Sequence, residues 1–446
     1  MNIIVAGAGE VGTHLAKMLT NEYHDIIVID PDSAKLSQLS TNTDLLVVEG
    51  SCTSIAALRD ANVRKADLFI AVTHSEETNI ISATLAKKLG AKKVIARINN
   101  SEYLLPNNKD MFLNLGIDSL IYPERLAARE LIGLLGQTSS TEFVDFSGGK
   151  LSLLVFRLEE DAPIVNQTLQ ETTKGDKNPN FRAVAISREG ETIIPRGNDQ
   201  FKAFDMVYVI SNPKGLKDLK QYSGKSNIDV NNLMILGGSR IGIRIATELE
   251  KHVNIKLIEQ DKNKVGQIAK IFKNTIVIHG DGRDTDLLMH EGLQYMDAFV
   301  AVTGNSETNI LSCVVAKRMG VKKAIAEIEN LDYIPLAESM GVDTAINKKL
   351  ITASRIFRYT MNTDVSVIKC LTGSDAEVLE FIVKPDSPVT KGRLKDIHFP
   401  MDAIIGGVVR SNTSFIAKGD TEIKAYDRVV VFALPSAINR IGKFFN

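Results

Sequence analysis

At 446 residues the chain is about three times a common domain size, so it needs more than one hydrophobic core. Its 44% hydrophobic and 24% charged residues exclude a disordered chain, a collagen-like repeat and a single long coiled coil. Lysine plus arginine number 53 against 54 aspartate plus glutamate, a net charge of -1, so no global field draws it to nucleic acid or anionic lipid.

The opening run Asn2-Ile3-Ile4-Val5-Ala6 lacks the charged start and cleavage site of a secretory signal. No window approaches the roughly 18 apolar residues that cross a bilayer. Cys52, Cys313 and Cys370 are scattered, as in a reducing compartment. The expectation is a cytoplasmic chain whose membrane role, if it has one, is peripheral.

Along the chain, short β-branched runs predict strands at 2–6, 25–30, 45–48, 68–72 and 93–98. Helical patterns near 10–21, 32–40, 53–60 and 77–89 separate them, the alternation of a doubly wound parallel sheet. An amphipathic helix opening at Pro123 leads out of that sheet. A small α+β module follows, with strands at 151–158, 182–188, 191–195 and 205–211 and a short helix near 166–172. The turn-forming stretch 222–229 reads as a linker.

The plan then repeats from Asn232, with an exit helix near 348–360 and a second module from about 365. Ala71-Val72-Thr73-His74-Ser75-Glu76-Glu77-Thr78-Asn79 aligns with Ala301-Val302-Thr303-Gly304-Asn305-Ser306-Glu307-Thr308-Asn309 at an offset of 230, and Asp205 to Val209 with Asp427 to Val431 at 222. The expected fold is α/β: two Rossmann-like doubly wound parallel-sheet domains, at 1–136 and 230–360, each followed by a small α+β domain, at 137–224 and 361–446.

Gly7-Ala8-Gly9-Glu10-Val11-Gly12 is a G-x-G-x-x-G set between a strand and a helix. Its glycines permit a tight turn, backbone approach to a pyrophosphate, and close helix packing; the helix N-terminus meets the charge. Asp30, 23 residues after Gly7, stands where a carboxylate accepts both hydroxyls of an adenosine ribose and repels a 2′-phosphate. The second copy departs from this: Gly237-Gly238-Ser239-Arg240-Ile241-Gly242 carries serine at the middle glycine, and Glu259 replaces Asp30. The Ser239 Cβ crowds a pyrophosphate while its hydroxyl offers a donor, so nucleotide binding and a scaffold role both stay open there. Arg97, at the end of the fifth strand, points into the crevice to pair with phosphate; Glu327 replaces it and repels. Thr73, His74, Glu77, Thr303 and Glu307 lie in loops that line a ligand crevice, or cap helices. Neither a histidine pair with metal-ligand spacing nor a proton donor for a dehydrogenase stands out.

These stretches, Val5 to Gly12, Ala71 to Asn79, Ile95 to Ile98 and Ala301 to Asn309, resemble the TrkA family, regulatory subunits of Trk potassium uptake systems with tandem RCK (KTN) domains. The resemblance spans essentially the whole chain. It implies a regulator rather than an enzyme, a peripheral place on the inner face of the cell membrane, and assembly into a ring beneath a TrkH- or TrkG-like potassium-transporting subunit. It also implies NAD(H) binding, foremost in the first half, with ATP or ADP in either half. The binding residues it implies are Gly7, Ala8, Gly9, Glu10, Val11, Gly12, Asp30, Thr73, His74 and Arg97, and in the second half Gly237, Gly238, Ser239, Arg240, Ile241, Glu259 and Thr303. The competing expectations are an NAD-dependent oxidoreductase, with a proton donor supplied from 140–222 or 365–446, and a scaffold that binds nothing.

Overall fold

A computed structural model describes the chain apart from residues 21–23, 137–139, 173–179, 190, 217–218, 220–228, 361–364, 371–375 and 446. The predicted linker 222–229 lies outside the described residues except for Asp229.

The described residues group into two compact units. The first holds Met1–Leu126 together with Lys349–Asn362; the second holds Ala127–Lys348 and Thr363–Asn446.

In the first unit, strands β1 (Asn2–Ala6), β2 (Asp25–Asp30), β3 (Leu46–Glu49), β4 (Leu68–Ala71), β5 (Lys93–Arg97) and β6 (Ser119–Ile121) form one parallel sheet in the order β3-β2-β1-β4-β5-β6. The chain reverses direction of winding between β1 and β4, which opens a crevice beyond their carboxyl ends. Ile4, Val5, Phe69, Ile70, Val94 and Ile95 are fully or almost fully buried, which is why the central strands read as unbroken apolar runs. The edge strand β6 is missed by the sequence pattern because three residues show no periodicity. Against it lies the segment 349–360, with the Ser119 and Tyr359 hydroxyls 2.6 Å apart.

The second unit carries the matching sheet, β14-β13-β12-β15-β16-β17, built from β12 (Asn232–Leu236), β13 (Asn254–Glu259), β14 (Ile276–His279), β15 (Ala298–Ala301), β16 (Lys323–Glu327) and β17 (Thr344–Ile346). It also carries both antiparallel modules. The first is β7 (Glu142–Phe146), β8 (Leu151–Arg157), β9 (Phe181–Arg188), β10 (Glu191–Ile193) and β11 (Met206–Ser211) in the order β10-β9-β11-β8-β7. The second is β18 (Val365–Cys370), β19 (Glu377–Ile382), β20 (Ala403–Arg410), β21 (Thr413–Ile416) and β22 (Arg428–Ala433) in the order β18-β19-β22-β20-β21.

The two modules share one core. Leu151, Val184 and Tyr208 of the first pack with Val378, Val430 and Phe432 of the second, the Tyr208 and Phe432 rings 5.8 Å apart. A Cβ on Gly407 would stand 2.8 Å from Leu151 Cδ1, so a side chain here would force Leu151 to shift.

Candidate nucleotide-binding crevices

In the first unit the glycine loop leaves β1 at Gly7, whose φ of 113° favours glycine and whose amide donates to the Ile29 carbonyl at 2.8 Å. Gly12 lies in the first turn of the helix Glu10–Thr20, and a Cβ there would be 1.8 Å from the Gly7 carbonyl oxygen. A Cβ on Gly9 would meet only the His74 Nε2, at 3.5 Å. The protein's own packing therefore demands glycine at 7 and 12, while at 9 it leaves backbone open to a ligand. His74 is placed beside that opening.

Asp30, closing β2, is tied to the same loop. Its carboxylate accepts from the Ala8 amide at 2.6 Å and from the Asp32 amide at 2.9 Å. Arg97 ends β5, and its buried Nε has no hydrogen-bond partner among the described residues. A donor left unsatisfied at the carboxyl edge of the sheet suits an anionic ligand. The residues present thus fit an adenine nucleotide: an acid for the ribose, bare backbone and a helix N-terminus for phosphate, and a guanidinium near them.

Thr73 also holds its own loop in place. Its amide and hydroxyl both donate to Asn79 Oδ1, at 2.8 and 2.7 Å, and Asn79 Nδ2 donates to the Arg97 carbonyl at 2.9 Å. The fully buried Asn79 is a brace between the loop after β4 and the end of β5. Asn309 repeats it with Thr303 and the Glu327 carbonyl. The sequence signal was present, since Thr and Asn recur six residues apart in both copies. In the same loop Ser75 caps the helix Glu76–Leu89, accepting from the Thr78 amide at 3.0 Å and donating to Glu77 at 2.8 Å.

The second crevice is arranged differently. Gly237 has φ 105° and Gly242 would place a Cβ 2.2 Å from the Gly237 oxygen, so the turn is kept. Ser239 is the helix cap: its Oγ accepts from the Gly242 amide at 3.3 Å. Arg240 is exposed and Ile241 buried, as are Glu10 and Val11 in the first copy. Glu259 accepts from the amides of Gly238 (3.0 Å) and Asp261 (2.9 Å) and from Lys264 Nζ (2.8 Å). A cavity of about 460 Å³ opens here, lined by Glu259, Lys264, Gly280, Arg283, Thr303 and Thr308. Glu327 is not the bare negative charge the sequence suggests. Lys348 stands 3.2 Å from it and 3.2 Å from Glu329. Burial pulls the Lys348 ammonium down, but the two carboxylates outweigh it and hold its pKa above the usual lysine value.

Burial also raises Glu259, yet the three donors outweigh it and leave the carboxyl below its ordinary 4.5. A depressed carboxyl gives stability that is present above its unfolded pKa and lost as pH falls through the folded one. Glu259→Gln is expected to cost about 1–2 kcal/mol at pH 7, and the gap to the native chain should close as pH falls below the ordinary 4.5 and through the lower folded value. Urea melts across that range check it; a gap independent of pH would contradict the assignment.

Among the described residues no cluster of three or more histidine, cysteine or acidic side chains is placed to hold a metal. Cys52 and Cys313 are buried thiols, and burial raises the pKa of both, which suits packing rather than nucleophilic chemistry. No described helix is long and apolar enough to cross a membrane.

Family models decide the relationship. The TrkA-N domain matches residues 3–123 and 233–348, and the TrkA-C domain matches 153–224 and 378–446. The chain belongs to the TrkA family. A TrkA homolog of the Trk system from Archaeoglobus fulgidus is 34% identical over 447 residues, covering 100% of both chains. The Trk system potassium uptake protein TrkA of Haemophilus influenzae is 32% identical, covering 97% of this chain and 95% of its own. A solved structure described as a GsuK channel bound to NAD superposes with a TM-score of 0.61 at 14% identity, covering 100% of this chain and 78% of that one. At that identity it speaks for the fold alone, and the fold agrees: tandem parallel sheets, each followed by an antiparallel module. Two further residues of this TrkA chain escaped the sequence reading, Lys264 beside Glu259 and Lys349 beside Glu10, because each pairing is made by tertiary placement.

Proposed function

We propose that this chain is a nucleotide-sensing regulatory subunit of a Trk-type potassium uptake system. It binds NAD(H) or an adenine nucleotide in the first crevice and sets the gate of a potassium-transporting integral membrane subunit, assembled with further copies of itself as a ring on the inner face of the membrane. The observation that carries this reading is the first glycine loop: Asp30 is hydrogen-bonded into it, and backbone stays open at Gly9. Its relatives are named as Trk potassium uptake proteins, and a fold neighbour is described as bound to NAD. In the second crevice Lys264 already neutralises Glu259, which favours a ligand other than that of the first.

A sensor needs a ligand with different affinity for two arrangements of the protein. The segment 349–362 follows the second sheet in sequence and groups with the first unit. The element that responds to the first crevice is therefore the exit helix of the second sheet, rather than the first sheet's own.

The test is the thermal stability of the full chain with NAD, NADH, ATP and ADP added separately. A ligand at 100 times its Kd is expected to add about 2.7 kcal/mol. Asp30→Ala should remove the first-crevice shift, weakening binding by about tenfold or more. No shift with any nucleotide would sink the sensor reading, and steady NADH oxidation would favour the oxidoreductase.

A further inference from the structure

We propose that Lys349 is a further residue of the first nucleotide crevice, and that its ammonium makes the site favour ligands rich in phosphate charge. The inference rests on the first crevice being a nucleotide site, as argued above.

Glu10 is the first residue of the helix Glu10–Thr20, the end whose free amides face the phosphates of a nucleotide on the glycine loop. A carboxylate there suits the helix dipole but repels phosphate. Lys349, from the helix Lys348–Phe357, forms an ion pair with the Glu10 carboxylate. The two partners are unequally held: the Lys349 side chain is 13% exposed and that of Glu10 is 68% exposed. The lysine is the fixed member, and the glutamate is free to turn into water. Farther along, the Ser119 and Tyr359 hydroxyls, 2.6 Å apart, also tie this segment to the first unit.

His14, one helical turn beyond Glu10, adds to the picture. Burial first, then the charges of Lys17 and Lys349, push its pKa down, so the cation at this mouth is the lysine and not the imidazole. A phosphate arriving at the helix N-terminus meets an ammonium already stripped of much of its water. It replaces Glu10 as the partner of Lys349. The gain grows with the charge the ligand brings, so a nucleoside triphosphate profits most, a diphosphate next, and a dinucleotide less, because both its phosphates are esterified on either side.

Isothermal titration of the full chain with AMP, ADP, ATP and NADH tests this, counting only the binding that Asp30→Ala removes. Lys349→Gln is expected to weaken ATP about tenfold, ADP less, and AMP and NADH no more than about threefold, with Lys349→Arg restoring ATP binding. Glu10→Gln, on an exposed side chain, should tighten ATP by about threefold without harming the fold. Equal losses for AMP and ATP in Lys349→Gln would show a merely structural lysine and overturn the inference. So would unchanged ATP affinity in Glu10→Gln. If the native chain binds none of these ligands, the site reading itself falls, and a loss confined to Lys349→Gln cannot be mistaken for that result.

Discussion

Gly12→Ala is expected to destabilise the first unit by about 3 kcal/mol or more and to abolish nucleotide binding there, while Gly9→Ala leaves stability within about 0.5 kcal/mol and weakens binding alone. The two substitutions add the same methyl group to the same loop. At Gly12 that methyl would stand 1.8 Å from the Gly7 oxygen and 3.0 Å from its carbonyl carbon, backbone atoms that β1 and the Gly7–Ile29 hydrogen bond hold in place. Relief requires moving the helix off the strand. At Gly9 the nearest atom is the tip of the His74 ring at 3.5 Å, an ordinary contact. The second copy already carries a side chain at this position, Ser239, while keeping Gly237 and Gly242. Chemical denaturation and nucleotide titration of the two variants check the split. Equal loss of stability in both would mean that the opening at Gly9 serves the fold and not a ligand.

How much of this was legible beforehand depends on the range of the interaction. The glycine loops and Asp30 are local, fixed by a strand, a turn and a helix within some thirty residues, and the sequence reads them directly. The central strands are legible because burial on both faces makes them continuous apolar runs. Strands β6 and β17 are not, being three residues long at a sheet edge; β7, Glu142–Phe146, breaks the alternation with Phe143 next to Val144 and follows a long helix that hides it. The charges were the least legible feature. Glu327 reads as a bare acid and Glu259 as the counterpart of Asp30, and the structure supplies Lys348 and Lys264 to them. Lys348 and Lys349 are adjacent in the chain yet meet acids in different units. Hydrophobic periodicity holds no information of that kind.

The modules offer the second large effect. In the first, Asp205 is 1% exposed and holds Arg188 through two bonds, Nε to Oδ1 at 2.8 Å and Nη2 to Oδ2 at 2.7 Å. The Lys202 amide donates to the same carboxylate at 2.8 Å, and Arg188 Nη2 also reaches the Gln200 carbonyl at 2.8 Å. The second module repeats each bond at an offset of 222, with Asp427, Arg410, Lys424 and Glu422. The fork closes the turn before β11 in one copy and before β22 in the other. Asp205→Ala is expected to cost about 3 kcal/mol, since it strands a guanidinium and a backbone amide that lose a buried partner. The partial exposure of Arg188 lets water recover some of that, which keeps the loss below the upper range for a fully buried pair. Asp427→Ala should cost a similar amount. Because the modules share the core around Tyr208 and Phe432, either variant should lower one common unfolding transition of the second unit. Two separate transitions, only one of them shifted, would show that the modules unfold independently despite that core.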